Sequence, residues 1–252
     1  MRWWKTKASI AGQVDPQDPE PAAERASVRR INKIARHIHA RSYLEIGIYR
    51  GATFNQLSFE RKVGVDPKMQ FDIAPHRREG VEFHELTSDR FFTTYAQREK
   101  FDIVFIDGLH TFHQSFRDFC NSLSFAHERT VWLIDDVRPW NVYSALPTHR
   151  EAAEFHKREG RKNAGWNGDV YKLIFAIHDF FPTFSYVTLG NPEKPQTLVW
   201  NAPRDDFSPL LNSMEAIERL SFFDLVRREE ILNIRPEDEG LKMFFAAVPG
   251  GS

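Results

Sequence analysis

Residues 42–66 read SYLEIGIYRGATFNQLSFERKVGVD. A short apolar run, SYLEIG (42–47), reads as a buried strand that ends in an acid and a glycine. Gly47 and Gly51 then mark a turn, ATFNQLSFE (52–60) reads as a helix, and KVGVD (62–66) as a second strand closed by an aspartate. Strand, glycine turn, helix and strand open a doubly wound α/β sheet. Gly47 lets the backbone bend and a ligand come close. Gly51 lets the next helix pack near the strand, and that helix points its N-terminal donors into the gap. A dinucleotide-binding turn needs a further glycine at position 49 to admit a pyrophosphate. Tyr49 stands there instead. It disfavours a diphosphate and leaves room for a smaller ligand.

Outward from this unit the alternation continues. A helix is expected over 22–40, where Val28, Ile31, Ile34, Ala35 and Ile38 share one face. Its other face carries Arg25, Arg29, Lys33 and Arg36, read as solvated rather than as a phosphate contact. VEFHEL (81–86) is a third strand, followed by a helix over 89–97. FDIVFID (101–107) is a continuous apolar strand suited to the middle of a parallel sheet. A helix over 112–125 and a fifth strand, RTVWLIDD (129–136), complete the run. Beyond it lie a loop (137–147), a helix (148–158), a glycine- and asparagine-rich loop (160–169) and a helix (170–181). TFSYVTLG (183–190) and QTLVWNA (196–202) suggest an antiparallel hairpin at the sheet edge.

The fold class read from this order is a doubly wound, mostly parallel Rossmann-like sheet with an antiparallel edge hairpin and helical N- and C-terminal extensions. Residues 1–21 are read as a flexible lead-in, proline-rich and acidic over 12–22, with 22–206 the domain and 207–252 a helical extension of it, 207–234 read as helical throughout.

The bulk numbers narrow the function. The chain has 252 residues and a net charge of −1, so no global bias argues for nucleic acid or an anionic membrane. Its single cysteine, Cys120, excludes an intramolecular disulfide and a four-cysteine zinc site, and suits a reducing cytoplasm. No secretory signal and no membrane span is expected. The phenylalanine doublets at 91–92, 180–181, 222–223 and 244–245 read as core, with an apolar homo-oligomer interface as the alternative.

In a sheet of this kind ligands bind at the C-terminal ends of the strands. Asp66 ends the second strand, where an acid accepts hydrogen bonds from both hydroxyls of a ribose. The competing reading is a turn or cap. Ser88 and Asp89 follow the third strand, where an adenine edge would lie. Asp107 ends the fourth strand, and Asp135 and Asp136 end the fifth. Three converging carboxylates repel one another, and a hard divalent cation such as magnesium would relieve this. The alternative for Asp136 is an ion pair with Arg138. His110, three residues past Asp107, is positioned to take a hydroxyl proton, or merely to hydrogen-bond Asp107. His113 lies one helical turn further on. Trp140, Tyr143, Trp166 and Asn167, on loops over the crevice, are candidate acceptor contacts.

These features resemble the class I S-adenosylmethionine-dependent methyltransferases over roughly residues 42–200. The likeness rests on Glu45-x-Gly47-x-x-x-Gly51, on Asp66, and on FDIVFIDGLHTFHQSFRDF (101–119) followed by VWLIDD (131–136). That pairing, with GDVYK (168–172), is most similar to a branch of small-molecule O-methyltransferases related to macrocin-type sugar methyltransferases and cephalosporin hydroxylase-like proteins. AHERT (126–130) stands where the family often has a glycine pair. The resemblance implies S-adenosylmethionine as cofactor, magnesium as an optional second one, and a small-molecule hydroxyl as acceptor. It implies that Glu45 orients the cofactor's amino-acid part beside Gly47, Tyr49 and Gly51, that Asp107 borders the same cofactor, and that His110 is the base. Three readings stand beside it: a non-catalytic nucleotide- or metabolite-binding domain, an oxidoreductase, and a nucleic-acid methyltransferase. Tyr49 argues against NAD, and the neutral charge against nucleic acid.

Overall fold

A computed structural model describes residues 25–95, 99–161, 165–190 and 194–250. The expected lead-in, 1–21, lies outside these residues. The elements follow in order as α1 (Ala26–Ile38), β1 (Ser42–Ile46), β2 (Arg61–Asp66), β3 (Val81–Glu85), α2 (Ser88–Thr94), β4 (Phe101–Ile106), α3 (Phe112–Ser122) and β5 (Ala126–Ile134). Then come α4 (His149–Arg158), α5 (Tyr171–Phe180), β6 (Phe184–Gly190), β7 (Gln196–Asn201), α6 (Met214–Glu218), α7 (Phe222–Arg227), β8 (Ile234–Pro236) and α8 (Glu237–Ala247).

The strands make one sheet in the order β3-β2-β1-β4-β5-β7-β6-β8. The first five are parallel, and β7 runs antiparallel to both β5 and β6. The order reverses direction between β1 and β4, which opens a crevice beyond their C-terminal ends. In register, Ile46 lies beside Val65 and Ile106, and Ile106 beside Ile134. The residues that end or follow these strands therefore lie at one edge: Gly47, Asp66, Asp107, Asp135 and Asp136.

Both sheet faces are buried, as the continuous apolar strands require. One face packs Leu44, Val104, Trp132 and Ile134 with Phe91, Phe119, Leu173 and Ile177 from the helices. The other packs Tyr43, Ile103, Phe105 and Leu133 with Val28, Ile31 and Ile34 of α1 and Leu241 and Phe244 of α8. Each such large side chain stabilises the fold by about 1.5–3 kcal/mol. The polar side of α1 is partly an interhelical clamp: Arg29, Arg30 and Lys33 all reach the carboxylate of Glu237 on α8, at 2.7 to 3.1 Å.

Four expectations change. The helix over 52–60 does not form, and only a 3-10 turn at Phe54–Gln56 does. Lys62, buried in β2, donates its Nζ to the carbonyls of Phe54 and Leu57 at 2.8 Å each. Those carbonyls would be the acceptors of a continuing helix. The glycine turn is therefore followed by a single 3-10 turn and not by the N-terminus of a regular helix. The β6–β7 hairpin is not the edge, because β8 pairs parallel with β6 outside it. The region after 207 is not helical throughout: α6 and α7 are short, and β8 and α8 tie the extension into the sheet. Finally, AHERT (126–130) belongs to β5, with a register shift between Phe101/Ala126 and Ile103/Val131. Thr130 Oγ1 bridges that irregularity by accepting from His127 N at 2.8 Å and donating to Phe101 O at 2.7 Å.

Candidate functional site

The glycine turn after β1 is built by close approach. Gly47 has φ +94°, and a Cβ there would lie 2.0 Å from the carbonyl oxygen of Asp107. Only glycine lets the ends of β1 and β4 come this near. Gly51, at φ +69°, turns the chain back, and a Cβ on it would meet the Asn55 side chain. Tyr49 also has a left-handed backbone, φ 39°. Its N–H donates to Asp66 Oδ2 at 2.8 Å, while Asp66 Oδ1 accepts from Lys68 N at 2.8 Å. Asp66 thus braces the turn, and each of its oxygens keeps a free lone pair.

Glu45 is buried on β1, two residues from Tyr43 and on the same face. Tyr43 Oη donates to its Oε2 at 2.6 Å. Burial, aided by the Asp107 charge and opposed by the Tyr43 hydrogen bond, raises the carboxyl to about 8. A cationic group placed beside it would reverse that shift.

After β3, Ser88 and Asp89 begin α2 but face α3. Gln114 Nε2 donates to Ser88 Oγ at 3.1 Å and to Asp118 Oδ1 at 2.9 Å. Asp89 accepts from Arg117 Nε and Nη2 at 3.2 and 3.1 Å, which lowers its pKa. Asp118 is buried, and burial raises its carboxyl to about 6. The expected adenine edge is therefore a polar cluster shared by α2 and α3, in which sequence reasoning singled out Ser88 and Asp89 but neither Gln114 nor Asp118.

The second constellation centres on His110. Its Nδ1 lies 2.7 Å from the carbonyl of Trp166, so Nδ1 carries the hydrogen and Nε2 is the free nitrogen in the neutral ring. Nε2 lies 3.1 Å from Asp136 Oδ2 and 3.6 Å from Asp107 Oδ1. The ring stacks on Trp166, with centroids 5.2 Å apart. Burial disfavours the imidazolium, but the Asp136 and Asp107 carboxylates outweigh it and raise the pKa to about 9. Asp107 is raised to about 7 by burial and by the neighbouring Asp135 charge.

The loop 165–169 fixes this arrangement. Asn167 Nδ2 donates to Asp136 Oδ1 at 2.6 Å. Gly168, φ +61°, passes so close under the loop that a Cβ would lie 1.6 Å from His110 O. Asp169 Oδ1 accepts the Phe112 N–H at 2.7 Å, capping α3, and its other oxygen pairs with Lys172 at 2.9 Å. His113 does not join: it is exposed and lies 3.8 Å from Glu218. Arg138 pairs with Glu229, not with Asp136. Trp140 is exposed, and Tyr143 stacks on Phe155.

Of the three carboxylates expected to hold a cation, Asp107 and Asp136 gather with His110, one ligand atom of each lying within 4.8 Å of the others. Asp136 Oδ2 is buried and makes no hydrogen bond of good geometry, its one polar contact among the described residues being His110 Nε2 at 3.1 Å, so a cation there would replace the imidazolium proton as its partner. Asp135 is turned elsewhere. Its Oδ1 accepts the Asp136 N–H at 2.8 Å and its Oδ2 meets Lys194 Nζ at 2.9 Å. Lys194 also lies 2.9 Å from Asp136 Oδ1. Nothing in the sequence marked Lys194, a lysine in the segment GNPEKP (190–195), where such residues are ordinarily solvated.

Residues 44–137 match the family model described as a methyltransferase domain. No curated protein matches the chain in sequence. Among solved structures, cofactor-bound Rv0187 from MTB is similar at a TM-score of 0.52 and 16% identity, covering 74% of this chain and 84% of that one. The O-methyltransferase from Bacillus cereus in complex with SAH is similar at 0.46 and 18%, covering 71% and 82%. MycE of the mycinamycin pathway, in complex with Mg and SAH, is similar at 0.44 and 16%, covering 73% of this chain and 50% of that one. Among the described residues, no helix is long and apolar enough to cross a membrane.

Proposed function

We propose that this chain, whose residues 44–137 match a methyltransferase domain, transfers a methyl group from S-adenosylmethionine to a hydroxyl of a small molecule of sugar, phenol or natural-product type. The observation that carries the reading is the shared edge. Glu45, the Gly47 turn and Asp66 stand at the ends of β1 and β2, next to His110 with Asp107 and Asp136 at the ends of β4 and β5.

In this reading Asp66 accepts the ribose hydroxyls on its free lone pairs. Glu45 ionises against the amino group of the cofactor, and the bare backbone at Gly47 lets the cofactor lie against the strand end. Ser88 and the Gln114–Asp118 pair border the adenine. A sulfonium methyl is already activated, so transfer is an in-line displacement. The main requirement is to hold donor and acceptor at near-attack distance. His110 Nε2 takes the hydroxyl proton, and Asp136 and Asp107 stabilise the imidazolium that results. Trp140 and Trp166 border the acceptor.

A divalent ion would be held by Asp107, His110 and Asp136, and would supply Lewis acidity to the acceptor oxygen. Then Nε2 would be a ligand and no longer a base. The donor set mixes nitrogen with two carboxylates, which suits manganese at least as well as magnesium.

Calorimetric titration with S-adenosylhomocysteine tests the binding half, with saturable binding at micromolar concentration expected. A methyl-transfer screen over hydroxylated acceptors tests the chemistry. Binding without turnover on any acceptor would favour a non-catalytic binding domain, and no binding at millimolar ligand would end the proposal.

A further inference from the structure

The backbone around Lys194 is anchored in buried structure. The Lys194 carbonyl accepts from Arg30 Nη1 at 2.8 Å, and the same Nη1 donates to Gln196 Oε1 at 2.8 Å. Arg30 is fully buried in α1, and Gln196 is buried at the start of β7, its Nε2 donating to Ser27 Oγ at 2.9 Å. Pro195 follows and restricts Lys194 to extended backbone. From this anchor the side chain reaches the end of β5, where its ammonium lies 2.9 Å from Asp135 Oδ2 and 2.9 Å from Asp136 Oδ1. Both carboxylates are buried. A buried pair of like charges requires a counter-charge, and an ammonium within hydrogen-bond distance of both supplies one.

We propose that Lys194 is the resident counter-cation of the Asp135–Asp136 pair, and that it governs how tightly a divalent ion is taken up at this edge. An ion bridging the two aspartates would need the place that the ammonium holds. An ion held by Asp107, His110 and Asp136 would share Asp136 with the ammonium and feel its repulsion at short range. Either way the lysine weakens divalent binding, and its loss leaves Asp135 without its cation and Asp136 with the His110 ring alone, a net negative site that a divalent ion can neutralise. Lys194 is thus a positioning residue, holding Asp136 in place behind His110 without itself touching the acceptor. The inference rests on the methyl-transfer reading only in taking this edge as the acceptor end.

The test is Mn2+ binding to the full chain, followed by the loss of the free-ion electron paramagnetic resonance signal, with S-adenosylhomocysteine binding recorded in parallel. Wild-type protein is expected to bind Mn2+ only in the millimolar range, and K194M about tenfold or more tightly, since affinity for such ions follows the net ligand charge. K194R, which keeps the cation, should stay weak. D136N introduced into K194M should abolish the gain. If K194M does not fold, as judged by its thermal melt, K194Q carries the same expectation. Micromolar binding by the wild type, or K194M and K194Q binding no tighter than it, would overturn the proposal. Failure of S-adenosylhomocysteine to bind would sink the methyltransferase reading and leave the Mn2+ comparison standing.

Discussion

The Tyr49 amide donates to Asp66 Oδ2 at 2.8 Å, so the turn after β1 and the end of β2 brace each other. The bond satisfies an amide in a left-handed backbone that tyrosine seldom adopts. It also orients the carboxylate toward the crevice. Replacing Asp66 by alanine removes the acceptor for both Tyr49 and Lys68. The expected cost is about 2 kcal/mol of stability, read by urea denaturation. Affinity for S-adenosylhomocysteine should fall by at least about tenfold, because the ribose loses its charged acceptor. D66A binding as tightly as the wild type would remove Asp66 from the site.

Gly47 tests the close approach of β1 to β4. Alanine there combines an unfavourable φ of +94° with a Cβ 2.0 Å from Asp107 O. Strain and clash together should cost about 3 kcal/mol or more. The thermal midpoint should fall, and S-adenosylhomocysteine binding should be lost even in the fraction that stays folded. Gly160 is the control, since it also has positive φ but nothing within 4 Å. G160A should cost about 1 kcal/mol and leave binding intact.

Glu45 links ligand binding to protons. Burial raises its carboxyl to about 8, against about 4.3 in an unfolded chain. Between these values the folded protein holds a proton that the unfolded chain has released. The stability Glu45 contributes is therefore full below about pH 4.3 and lost as pH rises through about 8. Binding a ligand ammonium beside Glu45 should expel that proton. At pH 7, calorimetry of S-adenosylhomocysteine in buffers of different ionisation enthalpy should report roughly one proton released. The release should vanish in E45Q, whose stability should also vary less with pH over the same window.

How far the chain could be read in advance depended on where each residue's partners lie. The central parallel strands were legible because two-sided burial makes them apolar runs, whereas the edge strand β3, VEFHE, is only partly buried and showed itself by alternation. That Glu45, Gly47, Asp66, Asp107 and Asp136 lie at one edge was also legible, since topology alone brings strand ends together. The helix over 52–60 was misread because its apolar spacing is real, yet Lys62, from the next strand, takes the carbonyls it needs. The strand β8 is three residues long and ends in proline, below any periodic signal. Asp118 was missed because it joins the cluster through Gln114 on its own helix, and Gln114 and Lys194 because Ser88 and Asp135, which they meet, lie 26 and 59 residues away. Arg29 and Lys33 looked solvated for the same reason, with Glu237 more than 200 residues away.

His110 gives the proposed chemistry its pH dependence. Burial opposes the imidazolium, and the carboxylates of Asp136 and Asp107 overcome it, placing the pKa at about 9. At pH 7 the ring is therefore mostly protonated and unable to accept a proton. As pH rises toward about 9, the neutral base is populated, with Nε2 free and Nδ1–H held on Trp166 O. The rate of methyl transfer to a hydroxyl should climb about tenfold per pH unit and level off above about 9. Asparagine at Asp136 removes a negative charge 3.1 Å from Nε2, so the rising limb should move to lower pH while the plateau falls. The titration can be followed without an acceptor, from the His110 ring signals in NMR spectra of the wild type and D136N. A ring that titrates near its ordinary value in both proteins would rule out this electrostatic coupling. A pH-independent rate would rule out His110 as the base. H110Q should lower turnover by about 10²–10⁴-fold and leave S-adenosylhomocysteine affinity within about twofold of the wild type, since Glu45, Gly47 and Asp66 carry that binding in the proposed reading.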